Sequence, residues 1–178
     1  MISLITGGQR SGKSSFAESL LKNKDKVAYI ATAKVDGQEM AERIKIHQES
    51  RPKAWRTIEA YKDFLAYVED EDYYLLECLG TMTANIMYDL TKDLERIPAR
   101  LAKEVEDTVY NNVMDLINFC RDRDKDLIII TNEVGLSLTP MDHIGRVYTD
   151  SLGRISQRIA KEADQVYLVV CGIEMKIK

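Results

Sequence analysis

Eight consecutive residues, Gly7-Gly8-Gln9-Arg10-Ser11-Gly12-Lys13-Ser14, carry the densest chemistry in the sequence. They fit G-x-x-x-x-G-K-[ST], a pattern whose glycines let backbone N–H groups close around phosphate oxygens. Lys13 adds a point charge for the outer phosphates of a nucleoside triphosphate, and the Ser14 hydroxyl is a ligand for Mg²⁺. A second cluster runs from Arg43 through His47 to Arg51 and Pro52, then on to Trp55-Arg56-Thr57-Ile58-Glu59. On a helix, Arg43 stands one turn before His47 on the same face, and Pro52 ends the helix near Arg51. An arginine would then flank the imidazole on either side. Two cations favour the neutral imidazole that attacks phosphorus, and the same guanidinium groups could grip phosphate oxygens. Met40 and Ile44 share that helical face, so spacing leaves His47 either a covalent nucleophile or a core histidine.

Two strand ends add candidates. Tyr73-Tyr74-Leu75-Leu76-Glu77 is an apolar run ending in an acid that could hold Mg²⁺ through water. Thr131-Asn132-Glu133 closes another run, where side chains either meet a ligand or cap a turn. His143, near a helix start, reads as structural, Cys78 as a core residue, and the Arg154/Arg158 pair as a solvated helix face.

These groups need a scaffold, and the sequence supplies one. Short, nearly continuous apolar runs at 2–6, 27–31, 73–77, 127–131 and 166–171 suit strands covered on both faces, as in a parallel sheet. Helical patterns lie between them. Lys13–Lys22 places Phe16, Ala17, Leu20 and Leu21 on one side. Pro98 opens the longest, with Leu101, Val105, Val109, Val113, Leu116, Ile117 and Cys120 in step; 142–162 repeats Val147, Leu152, Ile155 and Ile159. Alternation of strands and helices predicts an α/β P-loop fold, with a mostly parallel sheet and a C-terminal antiparallel hairpin over 165–178. Residues 89–97 read as the most loop-like stretch. The whole of 1–178 reads as one nucleotide-binding catalytic domain.

A net charge of -4 with interspersed signs gives no basic face for nucleic acid. Cys78, Cys120 and Cys171 are scattered and odd in number, which favours reduced thiols over disulfides. No run is long enough to span a bilayer. The expectation is a soluble, cytoplasmic protein.

The motifs occur in an informative order: the glycine loop, Tyr29-Ile30-Ala31-Thr32, Arg43-Ile44…His47…Arg51-Pro52…Trp55…Thr57…Glu59, Glu77-Cys78…Asn85, and Thr131-Asn132-Glu133-Val134-Gly135. Gly153-Arg154…Gln157-Arg158 and the terminal Gly172-Ile173…Lys176-Ile177-Lys178 complete the series. Over essentially its whole length the chain resembles the bifunctional adenosylcobinamide kinase / adenosylcobinamide-phosphate guanylyltransferases. That resemblance implies a RecA-like P-loop domain, a homotrimer and two reactions. ATP or GTP phosphorylates adenosylcobinamide; GTP then donates GMP to adenosylcobinamide phosphate through a GMP–histidine intermediate that falls on His47. It also implies a nucleotide site drawing on Gly7–Ser14, Ala31, Thr32, Ala33, Gln48, Glu49, Ser50, Arg51, Glu59 and Glu77. Glu77 could accept two N–H bonds from guanine or hold Mg²⁺, and both roles stay open. Gln9 stands where this family often has alanine, and Glu77 where many members have aspartate.

Overall fold

The computed structural model describes residues 1–34, 52 and 54–178. Strands β1 (Ile2–Thr6), β2 (Val27–Ala31), β3 (Arg56–Glu59), β4 (Tyr73–Leu76), β5 (Asp126–Ile130) and β6 (Gln165–Val170) run parallel, in the order β3-β2-β4-β5-β1-β6. Strand β7 (Ile173–Lys176) closes the row antiparallel to β6. Among the described residues the helices are α1 (Lys13–Leu21), α2 (Leu79–Thr91), α3 (Ala99–Asp122) and α4 (His143–Glu162). The α/β fold, mostly parallel sheet and terminal hairpin are as the sequence predicts.

Side chains of successive strand residues point to opposite faces, and that alternation splits the core in two. Leu4, Tyr74, Leu76, Leu127 and Ile129 join α2, α3 and α4 on one face. Ile5, Tyr29, Leu75, Ile128 and Ile130 pack with Ala17, Leu21 and Trp55 on the other. Burial on both faces is why these strands read as unbroken apolar runs. On α3 the expected stripe holds: Val105, Val109, Val113, Leu116, Ile117 and Cys120 are buried, and Pro98 occupies the cap position. Burial in this core pushes the Cys120 thiol up to about 12.

Several expectations are corrected. Strand β3 emerges from the second cluster; it is an edge strand burying only Ile58 of its four residues, so it lacks an apolar run. Helix α2 takes in residues 89–91 of the stretch read as loop. Its buried face runs along 79/80, 82/83, 86/87 and 91, but Gly80, Thr83 and Thr91 sit on that face while Tyr88 and Leu90 face out, which blurs the apolar stripe. Leu20 is 41% exposed, off the buried face that Ala17 and Leu21 turn to the sheet. Arg154 and Arg158 stay partly in water, 54% and 34% exposed, and also cross to α3. Arg154 pairs with buried Glu106 at 2.9 Å, while Arg158 pairs with Asp107 at 3.0 Å and stacks on Tyr110. The hairpin turns through Cys171 and Gly172, both at positive φ, which matches the twist of the paired strands.

Candidate active site

The parallel strands deliver their carboxyl ends to one edge of the sheet, and the glycine loop leaves β1 there. Gly7 has φ +154° and Gly12 φ +100°; a Cβ at Gly7 would lie 2.3 Å from the Val169 carbonyl oxygen, and one at Gly12 3.0 Å from Cα of Gly172. Only glycine fits either position. Two long-range bonds fix the loop: the Glu133 N–H donates to Gly7 O at 2.9 Å, and the Gly172 N–H to Ser11 O at 2.8 Å. Gly12 caps α1 with no side chain over the first turn, leaving helix N–H groups free to meet an anion. Gly8, Gln9 and Arg10 are exposed, while Ser11 and Ser14 are half-buried.

Lys13 lies beneath the loop, 7% exposed, and its Nζ donates to Gly8 O at 2.6 Å. Burial lowers its pKa, opposed by the nearby Cys78. The Ser14 hydroxyl and the half-buried Glu77 carboxylate carry no hydrogen bond among the described residues, so both remain available to a ligand.

The ends of β2, β3 and β4 are stitched together beside the loop. Glu77 N–H donates to Ile30 O at 3.0 Å, the Thr32 hydroxyl to Cys78 O at 3.0 Å, and the Asn85 amide to Thr32 O at 2.7 Å. Ala31 pairs in register with Glu59, whose side chain is exposed at the same edge. Ala31, Thr32, Ala33, Glu59 and Glu77 therefore share one edge with the loop. Arg43, His47, Gln48, Glu49, Ser50 and Arg51 lie outside the described residues.

Other candidates resolve individually. The Glu133 carboxylate accepts from the N–H groups of Gly135 at 2.6 Å and Leu136 at 3.2 Å, which is the turn-capping role. Cys78 is not core: its sulfur caps α2 by accepting from Thr81 N–H at 3.3 Å, with the Asn132 amide 3.9 Å away. His143 is structural, its Nε2 accepting from Ile97 N–H at 3.1 Å. Sequence reasoning misses a cluster just past Ala33. Lys34 Nζ lies 2.6 Å from Asp89 Oδ1 and over the Tyr61 ring, and the Tyr61 hydroxyl donates to Asp89 Oδ2 at 2.7 Å. Those hydrogen bonds from Lys34 and Tyr61 hold the Asp89 carboxyl below its ordinary range. Three residues so far apart in sequence give no local signal.

No group of three or more His, Cys, Asp or Glu side chains converges on a metal position among the described residues. One hydroxyl and one carboxylate beside a phosphate loop nonetheless suit Mg²⁺, which keeps most of its shell as water and phosphate oxygen. Among the described residues no helix is long and apolar enough to cross a membrane.

A family model described as cobinamide kinase / cobinamide phosphate guanyltransferase matches residues 3–177. The bifunctional adenosylcobalamin biosynthesis protein CobU of Salmonella typhimurium is 38% identical over all of both chains. CobP of Pseudomonas aeruginosa, with the same description, is 34% identical over all of this chain and 98% of its own. Among solved structures, a KaiC-like protein of Pyrococcus horikoshii superposes with a TM-score of 0.45 at 10% identity, covering 94% of this chain and 71% of its own.

Proposed function

The chain belongs to the cobinamide kinase / cobinamide phosphate guanyltransferase family, and on that premise we propose how its residues divide the two reactions. It is a kinase and a nucleotidyltransferase by that membership. In the kinase step, the acceptor hydroxyl oxygen of adenosylcobinamide attacks the γ-phosphorus of ATP or GTP. The bond to the β–γ bridging oxygen breaks, and the nucleoside diphosphate leaves. In the guanylyl step, a ring nitrogen of His47 attacks the α-phosphorus of GTP and pyrophosphate departs with the electron pair of the α–β bridge. A phosphate oxygen of adenosylcobinamide phosphate then attacks the phosphorus of the histidine-bound GMP, forming the new P–O–P bridge as the N–P bond breaks and its electron pair returns to the imidazole.

One observation carries this reading: a glycine loop with Lys13 beneath it opens onto the strand ends that bear Ala31–Ala33, Glu59 and Glu77. Both reactions expel a phosphate-bearing group, and both gain from the same loop amides and Lys13 charge. Arg43 or Arg51 would hold the α-phosphate while His47 attacks, and Gln48–Ser50 would line the nucleotide beside it. Mg²⁺, held by Ser14 and Glu77 with the phosphates, would neutralise the charge building there. The protein acts as a homotrimer in the cytoplasm, each copy one catalytic domain.

Incubation with GTP labelled at the α-phosphate tests the assignment. The unmodified chain should acquire an acid-labile, base-stable adduct that adenosylcobinamide phosphate removes, and His47→Ala should acquire none. Undiminished labelling of His47→Ala would remove His47 from the mechanism.

A further inference from the structure

Three consecutive polar residues follow β5 at the phosphate edge, and two of them are spent on structure. The Thr131 hydroxyl lies 3.3 Å from the Ser156 hydroxyl of α4. The Glu133 carboxylate caps its own turn through the N–H groups of Gly135 and Leu136. Asn132, between them, is half-buried, and its one polar side-chain contact among the described residues is Nδ2 at 3.9 Å from Cys78 Sγ. Sulfur is a weak acceptor, and the Asn132 carbonyl oxygen has no partner at all among those residues. Asparagines that serve the fold behave differently. Asn85 donates to Thr32 O at 2.7 Å, while Asn112 donates to Thr108 O at 2.9 Å and accepts from Asp63 N–H at 2.6 Å. A half-buried amide without a good partner costs free energy that a ligand can recover.

The backbone fixes where that amide stands. Thr131 N–H donates to Ile5 O and Glu133 N–H to Gly7 O, both at 2.9 Å, so the chain after β5 runs on beside the start of the phosphate loop. Asn132 lies between those two anchors, on the strand that separates β1 with its loop from β4 with Glu77. Its Nδ2 faces Cys78, and a Cβ at Gly80 would lie 3.6 Å from it. Cys78 is also near Lys13, whose Nζ donates to Gly8 O at 2.6 Å. Asn132 and Lys13 therefore approach the same end of the loop, Gly7 and Gly8, from β5 and from α1. A loop of this pattern cradles the inner phosphates with its amides and meets the outer ones with its lysine. The end that Lys13 marks is that of the outermost phosphate.

We propose that the side-chain amide of Asn132 donates to an oxygen of the terminal phosphate of the bound nucleoside triphosphate. This rests on the reading of the loop above and adds to it a neutral donor that registers the third phosphate. In the kinase step the donor steadies the phosphoryl group in transfer, and in the guanylyl step it holds the departing pyrophosphate.

The test uses the full chain with Mg²⁺ and no corrinoid, titrated by calorimetry with the α,β-methylene analogues of GTP and GDP, which cannot pass GMP to His47. Asn132→Ala should weaken the GTP analogue at least about tenfold and the GDP analogue by less than about twofold. Asn132→Asp, of the same size but carrying a charge that repels phosphate, should weaken the GTP analogue further. If Asn132→Ala loses cooperative unfolding, Asn132→Asp decides by the same pair of affinities. Equal weakening of both analogues would make Asn132 a support of the loop, and no change in either would remove it from the nucleotide. Each of those results would overturn the phosphate contact while leaving the two reactions intact. An unmodified chain that binds neither analogue would overturn the reading of the loop as well.

Discussion

The two ends of the parallel strands use opposite electrostatic strategies. At the amino ends, charges are paired. Arg56 at the head of β3 binds Glu71 and lies 3.4 Å from Glu69, Lys125 before β5 meets Asp72 at 2.9 Å, and the Met1 amino group meets Asp126 at 2.7 Å. Asp164, before β6, accepts from Ile2 N–H at 2.6 Å. At the carboxyl ends the fastening is mainly backbone, through Gly172 to Ser11, Glu133 to Gly7 and Glu77 to Ile30, with neutral Thr32 and Asn85 beside it and the Lys34–Asp89 pair just past β2. There the functional side chains stay underused: Lys13 holds a single carbonyl, and among the described residues Ser14 and the Glu77 carboxylate hold nothing. An edge built for stability satisfies its charges internally, whereas one built for a polyanion keeps them for the ligand.

The sharpest way to break this comparison is at Lys13. Lys13→Met keeps most of the side-chain volume and removes the charge. It should lower kcat/KM in both reactions by roughly two to three orders of magnitude. Stability should hardly move, with Tm within about 3 °C of the unmodified chain, because the lost bond to Gly8 O is offset by relief of a buried charge. A large fall in Tm, followed by thermal melting, would show that Lys13 is a structural clamp and that the two edges are not so different.

Glu71 is the matching test at the other edge. It is 7% exposed and bonded to Arg56, Tyr74 and the Glu69 N–H. Burial pushes its carboxyl up, but the Arg56 guanidinium, the backbone N–H groups and Tyr74 pull it further down, to a net position below the usual range. Glu71→Gln should cost about 1–2 kcal/mol, a modest figure because the guanidinium is partly open to water, or roughly 3–6 °C in Tm. Turnover below the melting range should be unaffected. Because the folded pKa lies below the unfolded one, the Glu71 contribution is complete above the unfolded value of about 4.3 and is lost as pH falls through the folded value. The Tm gap between the two chains should therefore be constant near neutrality and close in acid. A gap that persists in acid would mean the pair is not what Glu71 contributes.

What the sequence reveals follows from the same division. The core strands are legible because burial on both faces writes a continuous apolar run, as in Leu127–Ile130. Strand β3 is not, since an edge strand with one buried side chain has no such signature. The glycine loop is legible because its chemistry is contiguous. Its clamps are not: Gly172 and Glu133 lie more than a hundred residues along the chain and carry no local mark of their partners. Arg154 is exposed, as its spacing suggests, but nothing local announces the buried Glu106 that α3 brings beneath it. The role given to His47 comes from the order of motifs around it rather than from its own spacing, which also fits a core histidine.

The smallest effect decides whether the amino edge works by number of charges or by burial. Asp70 lies 3.5 Å from Lys26 and 3.4 Å from Lys125, yet its side chain is 89% exposed. Water screens both contacts and Lys125 is already held by Asp72, so Asp70→Asn should shift Tm by no more than about 1 °C. Glu71, one position along, differs mainly in being buried. If Asp70→Asn proved as costly as Glu71→Gln, the amino edge would be acting as a cooperative charge network. The contrast between the two edges would then be one of charge density. If the shift is negligible, a single desolvated pair carries the electrostatic part of that edge, and the exposed charges around it contribute solubility.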